Sequence, residues 1–135
     1  MTHLTADSAE AAFYAAFADC DLQSMAQVWS REEAICIHPG AVPLVGYEAV
    51  MRSWGHILTD AASPSLLFNV LRRITSGELA VHIVEERIAP PDDPSGTAIV
   101  LATNVYRRGL SEWLMVSHQG VLMSTGDVPP KPTLQ

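Results

Sequence analysis

The chain has 135 residues, 48% of them hydrophobic and 17% charged, which is typical of one globular domain and excludes an intrinsically disordered chain. Asp and Glu total 15 against 8 Lys and Arg, for a formal charge of -7, so we expect neither nucleic acid nor an anionic membrane surface as a partner. No apolar run approaches the roughly 20 residues of a membrane-spanning helix, and residues 1–13 lack the pattern of a signal peptide. We therefore expect a cytoplasmic protein.

Three helices are predicted in the first half of the chain. Asp7 followed by Glu10 predicts a capping box at the start of the first helix, and apolar residues then recur at helical spacing. Asp21 is the predicted N-cap of a second, shorter helix. The third helix is predicted from Tyr47 to about Ala61, with its apolar residues on one side.

Strands are predicted in the parts of the chain outside the three helices. Two short strands, Ala34–His38 and Pro43–Val45, are predicted between the second and third helices. Short turns separate four longer runs, which predicts an antiparallel meander. Both faces of these runs are largely apolar, so one face should meet the helices and the other a partner, most simply a second subunit. The four runs are Leu66–Thr75, Leu79–Ala89, Thr97–Arg107 and Glu112–Ser124.

Four segments are more specific than this layout: FYAAFADCDLQSMAQVW, ICIHPGAVPLVGYEAVMRSW, ATNVYRR and EWLMVSHQG. Together they resemble the SnoaL-like branch of the nuclear transport factor 2-like superfamily, over Ala9 to Ser124. The resemblance implies an α+β, cystatin-like cone, in which three N-terminal helices pack on a strongly curved, mainly antiparallel sheet. A single domain is then expected over residues 1–126, followed by a Pro-rich tail at 127–135.

The function of the family is varied. Relatives include isomerases, epoxide hydrolases, polyketide cyclases and non-catalytic binders, so the fold does not determine the function. Members often form homodimers through the outer face of the sheet, and a pocket lies between the sheet and the helices.

Three polar residues are candidates for chemistry in such a pocket. His38 ends the first short strand at a Pro-Gly turn, and an imidazole with a pKa of about 6.5 can act as general acid or base, or simply tie down the turn. His118 shares strand parity with Leu114 and Leu122, so it is either an inward-facing base or a hydrogen-bonded core residue. Asn104 either orients a carbonyl or hydroxyl of a ligand or satisfies a neighbouring strand.

Carboxylates are scarce within the predicted strands. The absence of aspartate there argues against ketosteroid-isomerase chemistry, which needs a carboxylate base and an acidic donor in an apolar site. His82 and Glu86 share a strand face but lie about 13 Å apart, too far to pair directly, and residues 85–87 are typical of a solvated edge. Epoxide-hydrolase chemistry needs carboxylates flanking an arginine, which only Arg72 or Arg73 with Glu86 could supply.

Motifs for other chemistries are missing. The five histidines are scattered, and the sequence has no His-Glu-x-x-His, Cys-x-x-Cys, Gly-x-Ser-x-Gly, phosphate loop or dinucleotide fingerprint. We therefore expect no metal and no cofactor. Cys20 and Cys36 could form one disulfide, but free thiols are expected in this context.

The leading hypothesis is a homodimer that holds a small, largely apolar molecule in the cone. One alternative is an enzyme of isomerase, cyclase or hydrolase type with His38 or His118 as general base. Another is a non-catalytic module for dimerisation or partner binding. The residues predicted to line or rim the pocket are Tyr14, Phe17, Trp29, His38, Trp54, Asn104, Trp113 and His118.

Overall fold

The computed structural model describes residues 2–60 and 63–123. This part of the chain contains three helices and six strands, with a short 3₁₀ turn at Pro94–Gly96. The predicted tail at 127–135 lies outside the described residues. The helices are α1 (Ala6–Ala18), α2 (Leu22–Val28) and α3 (Tyr47–Asp60). The strands are β1 (Ile35–Ile37), β2 (Leu44–Val45), β3 (Ser65–Ser76), β4 (Leu79–Ala89), β5 (Ala98–Arg108) and β6 (Trp113–Leu122).

All six strands form one sheet in the order β2-β1-β6-β5-β4-β3. Strands β3 to β6 are the predicted antiparallel meander, and β1 adds to β6 in parallel. The register shifts at Leu71 in β3 and at Val116 in β6, where each strand has one extra residue, and such bulges bend a sheet. The prediction of an α+β fold with a mainly antiparallel sheet is confirmed.

The start of α1 differs from the prediction. Thr5 is the N-cap, its side chain accepts from the Ser8 backbone N–H, and the Ser8 hydroxyl accepts from the Thr5 N–H. The predicted capping box of Asp7 and Glu10 is wrong because Glu10 turns inward, where it is bound by side chains of the sheet. Asp21 is confirmed as the N-cap of α2, where it accepts from the Ser24 N–H.

Helix α1 lies on the concave face of the meander, which it contacts at β3, β5 and β6. Its small Ala residues allow a close approach, while its larger buried side chains fill the space above the strands. Alternation in β4 and β5 sets which strand residues meet it: the buried ones include Ala80, His82, Val84, Glu86, Ala102, Asn104 and Tyr106. The site described below is built on this face.

The outer face of the meander is also apolar. Val81, Ile83, Leu101 and Val105 lie near its centre and are half-buried. Toward its margins the side chains of Leu67, Ile74 and Val121 are 67%, 51% and 55% exposed. In the described part of the chain no helix packs on this face, so an apolar surface of several strands stays open to solvent.

Other sequence expectations concern the cysteines and membranes. Cys20 and Cys36 are both free thiols, as predicted. Cys36 is buried in β1, and burial raises the pKa of its thiol to about 12.

Within residues 2–60 and 63–123 no helix is long and apolar enough to cross a membrane.

Candidate functional site

A row of polar side chains crosses the concave face of the sheet. Strand register places Arg73 opposite His82, His82 opposite Asn104, Asn104 opposite His118, and His118 opposite Cys36. Five strands thus contribute one residue each. All but Arg73 are buried, and Arg73 reaches solvent with 43% of its side chain exposed. A polar row in an otherwise apolar core needs hydrogen-bond partners, and helix α1 supplies them.

Glu10 and Tyr14 are these partners. They lie one turn apart in α1, so their side chains project from the same side of the helix toward the row. Both are buried. They divide the polar residues into two sets, which we call the Glu10 cluster and the Tyr14 network.

The Glu10 cluster consists of Asp7, Glu10, Arg73 and His82. One Glu10 oxygen lies 2.6 Å from His82 Nδ1, and the other accepts from Arg73 Nη2 at 2.5 Å. Asp7 adds longer contacts of 3.5 Å to Arg73 Nε and 3.8 Å to His82 Nε2. Burial alone would raise the pKa of Glu10, but the hydrogen bonds from His82 and Arg73 outweigh it and the pKa is lowered. The cluster is therefore held together by an ionised carboxylate.

The Tyr14 network consists of Tyr14, Glu86, Asn104 and His118. The Tyr14 hydroxyl donates to Glu86 Oε2 at 2.6 Å and accepts from Asn104 Nδ2 at 2.9 Å. Asn104 Oδ1 lies 2.6 Å from His118 Nδ1. An amide oxygen can only accept, so His118 Nδ1 carries the proton. Every bond in the network therefore donates in one direction, from His118 toward Glu86.

Burial governs the protonation of this network. It raises the pKa of the Glu86 carboxyl to about 7, and the hydrogen bond from Tyr14 offsets only part of that increase. Burial, followed by the nearby His38, lowers the pKa of His118 to about 3. Burial and the nearby Glu86 raise the pKa of the Tyr14 hydroxyl above its ordinary value. At neutral pH, His118 is thus a neutral imidazole and Tyr14 a neutral phenol.

Three rings close the network at the α3 end of the concave face. The ring centroids of His38 and Trp54 are 5.1 Å apart, those of Trp54 and His118 6.0 Å, and those of His38 and His118 6.5 Å. His38 Nε2 lies 2.7 Å from the hydroxyl of Ser53 in α3 and 3.6 Å from Cys36 Sγ. Burial lowers the pKa of His38, so this imidazole also favours its neutral form. We call His38, Trp54 and His118 the ring triangle.

The sequence matches a known family over most of its length. Residues 7–124, most of the chain, match the model of the SnoaL-like domain family. The chain belongs to the SnoaL-like domain family. No protein with a curated description is significantly similar to it.

Solved structures agree with the family assignment. A candidate calcium/calmodulin-dependent protein kinase type II association domain from Thiobacillus denitrificans ATCC 25259 is 35% identical over 92% of this chain and 99% of its own, with a TM-score of 0.86. A candidate dehydratase of the nuclear transport factor 2-like family from Streptomyces avermitilis is 26% identical over 85% and 91%, with a TM-score of 0.75. A cystatin-like domain from Nostoc punctiforme, 16% identical over 87% and 74% with a TM-score of 0.71, shares the fold.

Most of the predicted pocket residues lie together in this SnoaL-like domain. Tyr14, Asn104 and His118 belong to the network, His38 and Trp54 complete the ring triangle, and Phe17 packs edge-on against Trp54 with ring centroids 5.1 Å apart. All except the half-buried His38 are buried, in contact with each other and with core side chains such as Phe13.

Trp29 and Trp113 lie outside the ring triangle, although Trp29 packs against Phe13 with ring centroids 6.4 Å apart. Trp29 bridges Met115 and borders an open groove of about 670 Å³, whose rim includes the ion pair of Arg107 with Glu33. Trp113 lies at the start of β6, where its backbone N–H donates to the His3 carbonyl. They are thus not brought into contact with the ring triangle.

Glu10 and Glu86 were not predicted as site residues. Strand parity could have revealed Glu86, because His82 and Glu86 share a face and His82 is buried. Arg72 pairs with Ile83 on the outer face, so the predicted combination of Arg72 or Arg73 with Glu86 is not formed. Arg73 instead lies between the carboxylates of Asp7 and Glu10. Among the described residues no group of His, Cys, Asp and Glu side chains is arranged to hold a metal ion.

Proposed function

We propose that this SnoaL-like domain binds a small, largely apolar molecule at the ring triangle. The observation that carries the proposal is the close grouping of two neutral imidazoles and an indole, within 6.5 Å of each other, among Phe13 and Phe17. Apolar and aromatic walls with a few convergent polar atoms are the usual composition of small-molecule sites. The neutral state of both histidines suits an uncharged ligand.

The α3 end of the site is where such a molecule would be admitted. His38 and Ser53 are half-buried, whereas the residues beneath them are buried. Helix α3 contacts α2 and the short strands β1 and β2, and its Trp54 packs on α1 and on His118 of β6. Its outward displacement would therefore open the ring triangle without breaking the strand pairing of the meander. A ligand would then separate His38 from Trp54 and lie above His118.

A phenol titration followed by NMR tests this proposal. We expect separate N–H signals from the three tryptophan indoles, which Trp54→Phe and Trp113→Phe variants would assign. We expect millimolar phenol to shift the Trp54 signal saturably and to leave the Trp113 signal unchanged, since Trp113 lies outside the ring triangle. Equal shifts at both positions, or no saturable shift at Trp54, would contradict binding at this site.

We further propose that the domain is a homodimer joined through the outer face of the meander. The open apolar surface around Ile83 and Leu101 supports this arrangement, because monomers seldom expose apolar patches of several strands. The description of the Thiobacillus relative as an association domain is consistent with self-assembly.

Substituting Leu101 tests the dimer. We expect the wild-type protein to sediment as a dimer at micromolar concentration and Leu101→Asp to sediment as a folded monomer, because a charge would be buried unpaired between the subunits. Val42→Asp is the matched control, since Val42 is 74% exposed in the turn between β1 and β2. It should remain dimeric. A monomeric wild-type protein would overturn the proposal.

An acid-base enzyme is the second candidate. It is favoured by the hydrogen bond that fixes the His118 ring and by the description of the Streptomyces relative as a candidate dehydratase. General bases work best with a pKa near the working pH, and the pKa of His118, about 3, lies far below neutrality. Binding therefore fits the electrostatics of the site better than catalysis by His118.

A further inference from the structure

We propose that Glu86 is a positioning residue that determines whether Nε2 of His118 offers a lone pair or a proton to a ligand, and that the site with an ionised Glu86 consequently selects molecules with an O–H or N–H donor. The ligand class rests on the proposed function, whereas the effect of Glu86 on His118 does not. The direction of the hydrogen bonds in the Tyr14 network links the two residues.

Glu86 is the one member of the network whose role is fixed by charge. An ionised carboxylate can only accept, so it takes the single hydrogen of the Tyr14 hydroxyl. The Tyr14 oxygen must then accept from Asn104 Nδ2, which turns Asn104 Oδ1 toward His118. A hydroxyl can rotate and an amide can turn over, so neither Tyr14 nor Asn104 would impose this direction alone.

The consequence for His118 is a defined tautomer. Its Nδ1 keeps the proton for Asn104, and its Nε2 keeps a lone pair. Within the described residues no side chain is hydrogen-bonded to this Nε2. A ligand group that reaches it within the ring triangle must therefore donate a hydrogen bond, as a phenol, enol or alcohol does and an ether does not.

Protonation of Glu86 would reverse the network. A neutral carboxyl can donate to Tyr14, which would then donate to Asn104 Oδ1, and Asn104 Nδ2 would donate to His118 Nδ1. The imidazole proton would move to Nε2, so the same site would present a donor.

The surroundings of Glu86 support a reversal near neutral pH. The titratable groups around it are Tyr14 from α1, Tyr106 from β5 and Cys36 from β1, and burial raises the pKa of each of them. All three are uncharged near neutrality, while Glu86 itself has a pKa of about 7. The charge of Glu86 can therefore change without a compensating change in these neighbours.

Long-range 1H–15N correlation spectra of His118 test the tautomer directly, because protonated and unprotonated imidazole nitrogens resonate far apart. At pH about 8.5 we expect the Nδ1–H form, and at pH about 5.5 the Nε2–H form, on either side of a Glu86 pKa of about 7. Glu86→Gln should abolish the pH dependence, and Tyr14→Phe should populate both tautomers at either pH. A wild-type tautomer that does not change with pH would overturn the role of Glu86.

Tyr47→Phe is the matched control for the lost hydroxyl. The Tyr47 hydroxyl donates to the Ala26 carbonyl, outside the network, so this variant should behave like wild type. Tyr14→Phe keeps the ring that stacks on Phe68, with centroids 4.3 Å apart, so folding should persist. If Tyr14→Phe keeps the single wild-type tautomer, Glu86 does not act through Tyr14.

Phenol and anisole test the ligand class. At pH about 8.5 we expect phenol to bind about tenfold more tightly than anisole, which cannot donate to Nε2, and Tyr14→Phe should reduce this preference to about twofold. Equal affinities of wild type for the two would overturn the donor selectivity. If neither binds, the ligand class fails together with the proposed function, and the pH dependence of the tautomer still tests Glu86 separately.

Discussion

The stability of Glu86→Gln relative to wild type is expected to increase with pH. The free energy of unfolding of the variant minus that of wild type should be about 3 kcal/mol larger at pH 7 than at pH 4.5. Burial raises the pKa of Glu86 from its ordinary 4.5 to about 7, so the folded wild-type protein binds this proton more tightly than the unfolded chain does. The stability due to this proton is fully present below pH 4.5 and is lost as the pH rises through 7. Glutamine does not titrate, so the variant avoids that loss.

The other titrating groups are present in both proteins, so their contributions to the pH dependence cancel in the difference between variant and wild type. His118 has the opposite effect: its lowered pKa of about 3 gives stability that is present above 6.5 and lost as the pH falls toward 3. Urea unfolding of both proteins across this pH range gives the difference between them. Glu85→Gln is the matched control, because Glu85 points to the other face of β4 and pairs with Arg87. If the free energies of unfolding of Glu86→Gln and wild type differ by the same amount at every pH, burial does not destabilise the ionised form of this carboxyl.

Glu10→Gln is expected to lower the free energy of unfolding by about 2–3 kcal/mol at neutral pH. Glu10 is 1% exposed and accepts one charge-assisted hydrogen bond on each oxygen. A glutamine has one acceptor oxygen, and its amide nitrogen would face either Arg73 or His82, both donors. Arg73 can regain water because 43% of its side chain is exposed, which keeps the loss below that of a fully buried ion pair.

Glu33→Gln provides the control for this prediction. Glu33 forms an ion pair of 2.8 Å with Arg107, but both side chains are about half exposed. Exposed pairs contribute about 0–1 kcal/mol, so the same chemical change should have a small effect there. Urea unfolding measures both variants. Comparable losses in the two would contradict a structural role for the buried carboxylate.

Local signals were sufficient to predict most of the fold. Turns at Pro39-Gly40 and Ser76-Gly77 placed strand ends close to their observed positions, and Asp21 capped its helix as expected. The start of α1 was misread because two overlapping cap patterns occur there. The Thr5 and Ser8 pair caps the helix, while Glu10 gains more from the sheet than from a backbone N–H at the surface.

The site was only partly predictable for a geometric reason. Tyr14, Asn104 and His118 all face inward, but their hydrogen bonds depend on strand register and on the rotation of α1, which no local pattern encodes. The predicted shared face of His118 and Leu114 is wrong, because an extra residue in β6 reverses the parity between them. Glu86 was obscured by its charged neighbours in sequence, although strand alternation turns those to the opposite face. The bulge before Arg72 reverses the parity of β3, so the inward position of Arg73 could not be read from alternation.

A crystal structure of the protein grown with phenol would test the proposed binding site most directly. The proposal predicts a phenol ring against Trp54, its oxygen about 2.8 Å from His118 Nε2, and His38 displaced from its contact with Trp54. Phenol bound in the groove beside Trp29 instead, with the ring triangle unchanged, would contradict it.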